Sequence, residues 1–326
     1  MIAPELEQKL KAKYPGLLAA VRDKIGDDIA DGYAAAYEWL MGHGVDNDTS
    51  FDLCMEACFC AMWSRNRIVY HIDSALAQEM SEQVKRMDYG DTLPGELLRR
   101  LPYPCIAIEG PPIRTAFHTP TGDIDHSYTG RMLVTVSNWA TLGVPHDCLT
   151  LLVEADGGKL LAYFLPILGT VGASVEALRE ILTKDSPSIT SDGAKFEAFF
   201  AMYASQIILY LQAVNADIER KPAPPRAKSK KAKSGSSAPK PPKEYHVGYH
   251  VGAALRRASA ASGGTTGTGS AKRPHSRRGH WHNYWMGSDK DGSRRLELKW
   301  VAPTIIHGDK SDDRPTVVRV KKGNNA

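Results

Sequence analysis

The chain has 326 residues, 42% of them hydrophobic, which is enough to bury one full core and leave length for a second module. Its net charge of +4 is unevenly distributed along the chain. Residues 1–219 hold 17 Lys and Arg against 30 Asp and Glu, a balance of −13, whereas residues 220–326 hold 24 against 7, a balance of +17. This asymmetry indicates that the basic part meets an anion, most often nucleic acid. The alternatives are that the two parts attract each other, or that the lysines keep a linker soluble.

The sequence disfavours export and membrane insertion. Residues 1–16, MIAPELEQKLKAKYPG, lack the apolar core that a signal peptide needs. The longest apolar stretch, at 199–214, is broken by Ser205 and Gln206 and is typical of a buried helix. The five cysteines are an odd number, which disfavours a disulfide framework and favours a reducing compartment. We therefore predict a cytoplasmic protein that does not contact membranes.

Residues 1–100 are predicted to be helical. Apolar residues recur at helical spacing through 17–44, and that run ends at a glycine. A further helix is predicted from Asp46 through Ile72, with Thr49 and Asp52 as a variant of the capping box. Cys54 and Cys58 share one face of this helix, and buried small hydrophobic residues are a better interpretation of them than metal ligands.

Short runs rich in β-branched and aromatic residues follow, separated by turn residues. They lie at 105–109, 113–118, 131–139, 148–155 and 159–167, and their short connections favour antiparallel hairpins. Two helices, at 174–184 and 191–214, close this part. The sequence therefore predicts an α+β domain over residues 1–219, in which an antiparallel sheet of about five strands packs against helices.

One of the connections, TPTGDIDHSYTG at 119–130, is rich in possible metal ligands. His118, Asp123, Asp125 and His126 lie in or beside it. A metal cluster and a polar hairpin loop both account for these residues, and the hairpin loop is favoured because it needs no further ligand. No metal and no cofactor are predicted for the chain.

The composition changes at Arg220. Residues 220–243 are built from Lys, Pro, Ala and Ser, which cannot bury a core, and are predicted to be a disordered basic linker. Residues 244–326 are predicted to form a small basic module. Its glycine-rich stretch at 263–272 departs from both the Walker and the dinucleotide-binding patterns, so a flexible loop is the better interpretation.

The most distinctive segment of this module is KRPHSRRGHWHNYWMG, at 272–287. If residues 279–285 form a strand, side chains alternate between its faces, so that His280, His282 and Tyr284 lie on one side and Trp281 and Trp285 on the other. The turn SDKDGS at 288–293 and the run RRLELKWVAP then predict a β-hairpin.

This pairing of cations with flat rings is typical of nucleic-acid binding, because cations contact phosphates and bases stack on rings. The alternatives are a metal site on the His-x-His pair, general acid–base catalysis by His280 and His282, and tryptophans that form the module's core. An enzymatic role is disfavoured, because no nucleophile or carboxylate stands beside the histidines. The candidate nucleic-acid or partner-binding residues are Lys272, Arg273, His275, Arg277, Arg278, His280, Trp281, His282, Tyr284, Trp285 and Trp300.

The same segment, followed by LELKWVAPTIIHG at 296–308, closely resembles the C-terminal signature of an anti-CRISPR protein family directed at type V-A systems, the second of its named classes. Further upstream, LPYPCIAIE, GVPHDCLTLLVEAD, LPILGTVGASVEALREIL and YHVGYHVGAALRRA stand in the order and spacing of that family. The resemblance covers most of the chain from about residue 94. The N-terminal helices and the lysine-rich linker match it poorly.

The resemblance implies an inhibitor, encoded by a phage or plasmid, that acts in the cytoplasm of a bacterial host. The resemblance further implies recognition of the N-terminal part of the effector nuclease polypeptide during its synthesis, followed by loss of its mRNA. The implied partners are this nascent segment and RNA or the ribosome. A ribonuclease, or an RNA- or DNA-binding accessory protein of a mobile element that uses the His/Arg/Trp-rich motif, is the alternative.

Overall fold

The computed structural model describes residues 2–26, 28–85, 93–119, 122–139, 144, 146–185, 191–222, 240–262, 275–277, 279–302 and 304–306. The chain divides into two compact units that interleave along the sequence. The sheet unit contains Met1–His71, Tyr103–Leu165 and Glu219–His246, and the helical unit contains Ile72–Pro102, Pro166–Ile218 and Val247–Ala326. The sequential division into 1–219, a linker and 244–326 stays a prediction, and most of that linker, 223–239, lies outside the described residues.

Four helices begin the sheet unit. Their apolar faces pack into one core around Phe59 and Trp63, which are completely buried. The fourth helix, α4 (Asn47–Asn66), is capped by Asp46 and not by Thr49 as the sequence suggested. The Asp46 carboxylate accepts hydrogen bonds from the Thr49 amide at 2.8 Å and from the Thr49 hydroxyl at 2.6 Å. The helices are α1 (Ile2–Lys13), α2 (Leu17–Lys24), α3 (Ala30–Gly42) and α4 (Asn47–Asn66).

Helix α4 is shorter than its sequence predicted. It ends at Asn66 because Arg67 adopts a left-handed conformation, with φ of 54°. The next five residues, IVYHI, form a strand and not a continuation of the helix. Their β-branched and aromatic side chains suit a pleated, buried surface better than a helix, and the prediction of helix up to Ile72 was wrong at this point.

An eight-stranded sheet lies against these helices. The strand order is β6-β5-β4-β2-β1-β8-β7, with β3 paired to β4. The pairs β2·β4, β3·β4 and β4·β5 are antiparallel, whereas β1·β2 is parallel. The strands are β1 (Ile68–Ile72), β2 (Cys105–Glu109), β3 (Ile113–Thr119), β4 (Gly122–Asn138), β5 (Asp147–Ala155), β6 (Leu160–Pro166), β7 (Ile218–Arg220) and β8 (Lys243–Val247).

The α+β class, the helical N-terminal part and a mostly antiparallel sheet are therefore confirmed. All five predicted strand segments occur as β2 to β6. Strands β1, β7 and β8 were missed. Strand β1 was predicted as the end of helix α4, β7 has only three residues, and β8 follows the stretch predicted to be a disordered linker. The turn at 156–158 joins β5 to β6, and Gly157 and Gly158 there have positive φ values of 77° and 78°.

The helical unit is built around helix α7 (Ser191–Gln212), whose side chains are buried along most of its length. The hydroxyl of Ser205 is buried, and it is satisfied by donating a hydrogen bond to the Ala201 carbonyl at 2.8 Å. No helix among the described residues is long and apolar enough to cross a membrane. The elements are α5 (Ser74–Val84), α6 (Val171–Asp185), α7 (Ser191–Gln212), α8 (Tyr249–Ser262), β9 (His275–Arg277), β10 (His280–Met286), β11 (Arg295–Val301) and β12 (Thr304–Ile306).

Candidate nucleic-acid or partner interface

The histidine- and tryptophan-rich segment forms the predicted hairpin. Strands β10 and β11 pair antiparallel, and Trp281 lies opposite Trp300 while His282 lies opposite Lys299. Since opposite residues share a face, the predicted alternation of imidazoles and indoles is confirmed. Gly287 starts the turn with φ of 89°, and a Cβ atom there would lie 2.3 Å from the Ser293 carbonyl oxygen, so the turn requires glycine.

The indole face of the hairpin packs against α7. Trp300 is 2% exposed and meets Tyr210 edge to face, with ring centroids 5.5 Å apart. The Trp281 indole N–H donates a hydrogen bond to the side-chain oxygen of Gln206, which is itself buried. Asn215 holds the edge of β11, because its amide accepts from the Trp300 N–H at 3.1 Å and donates to the Trp300 carbonyl at 2.7 Å. The interpretation that tryptophans form a core is therefore correct for Trp300, whereas Trp281 is half-buried and is held by its hydrogen bond to Gln206.

The opposite face is exposed and carries rings and a cation. The imidazole of His282 stacks on the ring of Tyr284 with centroids 4.2 Å apart, and the ammonium of Lys299 lies 5.5 Å from the centre of the Tyr284 ring. Tyr284 is 38% exposed. Cation–π contact of this kind orders the rings without covering them. This face, formed by His280, His282, Tyr284 and Lys299, is called the open face below.

Trp285 ends the indole face but is not buried. It is 60% exposed, the most exposed large hydrophobic residue among those described. The Arg294 guanidinium lies 4.6 Å from its ring centre. A ring and a cation held side by side match the needs of a stacked base and its neighbouring phosphate. Trp285 is therefore the tryptophan of this hairpin best placed to meet a partner.

The remaining candidates are described less fully. Lys272, Arg273 and Arg278 lie outside the described residues. The backbone of His275 and Arg277 lies in β9, which pairs antiparallel with β12, but their side chains are not among those described. Their contact with phosphate stays a prediction. Sequence reasoning missed this second strand pair, since each strand has only three residues.

Among the described residues, no group of three or more His, Cys, Asp and Glu is arranged to hold a metal ion. The predicted polar loop over 119–130 was wrong, because β4 begins at Gly122 and most of that segment pairs with β3. His118 and Asp123 are cross-strand partners there, although their side chains lie outside those described. Burial raises the pKa of the Cys54 and Cys60 thiols to about 12 and that of Cys148 to about 11. These three cysteines are therefore protonated and act as packing residues at neutral pH.

The residues of α7 that hold the hairpin were not identified from the sequence. Gln206 and Tyr210 are one helical turn apart, so both point to the same side of α7 and receive Trp281 and Trp300. A signal was present, because a glutamine inside an otherwise apolar helix needs a hydrogen-bond partner. The identity of that partner depends on the tertiary fold.

Comparison with known proteins supports the resemblance seen in the sequence. The profile of the AcrVA2-like family, described as the anti-CRISPR type V subtype A2 family, matches residues 70–308. A solved structure described as the crystal structure of AcrVA2 has a similar fold, with a TM-score of 0.57 and 16% sequence identity over 93% of this chain and 98% of that chain. No curated protein matches this chain. Because the profile spans more than half of its residues, the chain belongs to the AcrVA2-like family of anti-CRISPR proteins, which act against type V-A CRISPR systems.

Proposed function

We propose that this protein blocks production of the type V-A effector nuclease by recognising the N-terminal segment of the effector polypeptide during synthesis and causing loss of its mRNA. The observation that carries this proposal is the two-sided hairpin. One side is fixed to α7 through Trp281 and Trp300, and the other presents rings and a cation to solvent. A rigid, exposed pairing of this kind suits contact with RNA more than catalysis.

In this proposal the two activities reside in different parts of the chain. Residues 1–219, which have a net charge of −13, bind the nascent peptide, because an acidic surface favours basic segments. The basic C-terminal residues bind RNA or the ribosome. Lys272, Arg273, Arg277 and Arg278 supply phosphate contacts, while Tyr284 and Trp285 offer rings to bases.

The partner is tested by isolating translating ribosomes from cells that make both proteins. We expect the protein to enrich ribosomes that carry the effector mRNA and a nascent chain long enough to expose its N-terminal segment. Synonymous recoding of that segment should preserve the enrichment, since the peptide is recognised, whereas changing its amino acids should abolish it. Enrichment that follows the nucleotide sequence instead would overturn peptide recognition.

The chemistry is tested by incubating the pure protein with RNA alone. We expect binding without cleavage, which assigns the loss of mRNA to a recruited host nuclease. Cleavage that His280→Ala or His282→Ala abolishes would instead identify a ribonuclease and overturn the recruitment mechanism. His43→Ala is the matched control, because His43 is an exposed histidine at the end of α3 and lies outside the hairpin segment.

A further inference from the structure

The sheet unit contains a strongly basic cavity, and none of its lining residues belongs to the hairpin. Its volume is about 590 Å³. Its lining comes from α1, α2, the end of α4 and the residues that lead into β8, which are far apart in sequence. Six of the lining residues are cationic and one is acidic: Lys11, Arg22, Arg65, Arg67, Lys240 and Lys243 surround Glu7.

Glu7 is an internal counter-ion that orders three of these cations. Its side chain is 5% exposed and pairs with Lys11 at 2.8 Å, Arg67 at 2.9 Å and Arg22 at 3.0 Å. Burial raises the pKa of Glu7, but the hydrogen bonds from Lys11, Arg67 and Arg22 outweigh burial and lower it to about 2. The carboxylate is therefore charged at neutral pH, and it neutralises only one of the six positive charges.

Arg67 occupies an unusual position in this cavity. Its φ of 54° is a conformation that non-glycine residues rarely adopt. Its guanidinium lies 4.7 Å from the centre of the Trp63 ring, and its Nε atom is buried without a hydrogen-bond partner among the described residues. A buried donor without a partner is uncommon in folded proteins. The Trp63 ring and the Glu7 carboxylate therefore hold the guanidinium in place, and part of its donor capacity is unused.

Two lysines at the border of the cavity add charge that the fold does not neutralise. The Lys243 amide donates to the Arg67 carbonyl at 2.8 Å, so the lysine backbone is fixed beside Arg67. The side chains of Lys240 and Lys243 are exposed, and neither forms an ion pair with a carboxylate in the described part of the chain. The neighbouring Glu244 pairs instead with Lys221 and His71.

We propose that this cavity is a phosphate-binding site, distinct from the hairpin, and that its occupant is the backbone of single-stranded RNA. Oriented guanidinium groups recognise phosphate oxygens through paired hydrogen bonds, and lysines contribute mobile positive charge. The cavity is too polar for an apolar ligand, and its excess of five positive charges opposes a basic peptide. The site does not depend on recognition of the effector, so it is tested with the full-length protein and RNA alone.

The first test compares two doubly substituted proteins of equal charge. Lys240→Gln/Lys243→Gln removes cations from the cavity, whereas Lys24→Gln/Lys159→Gln removes exposed cations elsewhere in the sheet unit. The probes are oligouridine and inorganic pyrophosphate. For oligouridine, we expect only the cavity variant to lower the salt slope of log K, by about 1.4 for two lost phosphate contacts. For pyrophosphate, we expect the affinity of the cavity variant to fall roughly tenfold relative to the wild-type protein.

The two probes distinguish the sources of phosphate. Losses with both probes support an RNA-backbone site, whereas a loss with pyrophosphate alone identifies a small-molecule site and overturns RNA as the occupant. Equal behaviour of the cavity and control variants with both probes would overturn the site altogether. In that case the hairpin could still bind RNA, so failure of this inference and failure of the proposed function are separable.

A second test uses the internal counter-ion. Glu7→Gln leaves Lys11, Arg22 and Arg67 without their carboxylate, so added pyrophosphate should raise the Tm of this variant more than that of the wild-type protein. Glu56→Gln is the control, because Glu56 pairs with Lys9 outside the cavity at 3.2 Å. An equal pyrophosphate shift in all three proteins would contradict anion binding at Glu7.

Discussion

Trp281 and Trp300 are cross-strand partners, and each contacts a different residue on the same side of helix α7. Trp281 donates to Gln206, and Trp300 meets the ring of Tyr210 edge to face. The two indoles thus attach the hairpin to a buried helix at two points one helical turn apart. This attachment fixes the direction of the open face, and the following predictions separate its structural role from its binding role.

Truncation of the buried indole is expected to destabilise the protein without removing a binding group. Trp300→Ala should lower the free energy of unfolding by about 3–5 kcal/mol, because it leaves a cavity against Tyr210. Tyr284→Ala should change it by less than about 0.5 kcal/mol, since Tyr284 is exposed, yet should weaken RNA binding. Urea unfolding and RNA titration measure the two effects. Equal destabilisation by the two substitutions would contradict the assignment of the faces.

The three arginines that precede the hairpin in sequence are expected to contribute positive charge for binding and little to the stability of the fold. Replacing Arg273, Arg277 and Arg278 together with Ala should weaken RNA binding and lower the salt slope by about 2, at 0.7 for each phosphate contact. Substitution of Trp285 by Ala should weaken binding with little change in slope, because a ring releases no counter-ions. Filter binding over a range of salt concentrations measures both quantities.

The matched control for the triple variant is Lys13→Ala/Lys24→Ala/Lys159→Ala, which removes the same charge from the sheet unit. An unchanged RNA affinity after the triple arginine substitution would exclude the proposed contact. So would a control variant that loses the same slope, because the effect would then come from net charge.

Cleavage of the lysine-rich stretch is expected to leave the two halves associated. Trypsin should cut within 223–239, where lysines are dense, before it cuts 1–219. The fragments should then elute together on gel filtration, since β8 lies between β1 and β7 in the sheet. Denaturant should separate them. Resistance of 223–239 to trypsin would contradict the predicted linker, and fragments that separate without denaturant would contradict the position of β8.

The stability contributed by Glu7 is expected to disappear in acid. Its pKa lies at about 2 in the folded protein, below its ordinary value of 4.5, so the unfolded chain takes up a proton first as the pH falls. At neutral pH, Glu7→Gln should cost about 3–5 kcal/mol, because it breaks ion pairs around a buried group. Urea unfolding should show this difference shrinking as the pH falls from about 4.5 towards 2.

Glu56 supplies the control of opposite sign. Burial raises the pKa of Glu56 despite the lowering effect of Lys9. The wild-type protein therefore gains stability relative to Glu56→Gln as the pH falls through the folded pKa. If the stabilities of Glu7→Gln and Glu56→Gln relative to wild type changed with pH in the same way, the assignment of opposite pKa shifts to Glu7 and Glu56 would be wrong.

Local sequence patterns were sufficient to predict several structural elements, the fold class and the family of this protein. The alternation of His280, Trp281 and His282 was sufficient to assign the two faces of the hairpin, because side chains in a strand point to opposite faces whatever the rest of the fold does. The strands β2 to β6 and the α+β class followed from runs of β-branched and aromatic residues between turns. The long, specific motif at 272–287 was sufficient to predict the family.

Tertiary structure decided what those elements contact. Strand β1 was not predicted from the sequence, because only the left-handed Arg67 separates it from α4. Strand β8 was recognised only from its place in the sheet. The periodicity of α7 does not reveal that Gln206 receives Trp281. The basic cavity brings together Glu7, Arg67 and Lys243, whose separation along the chain leaves no local pattern. Proximity of this kind arises because the fold packs distant segments together. The sequence therefore determined which charged and aromatic side chains are present, and the tertiary structure determined which of them come into contact.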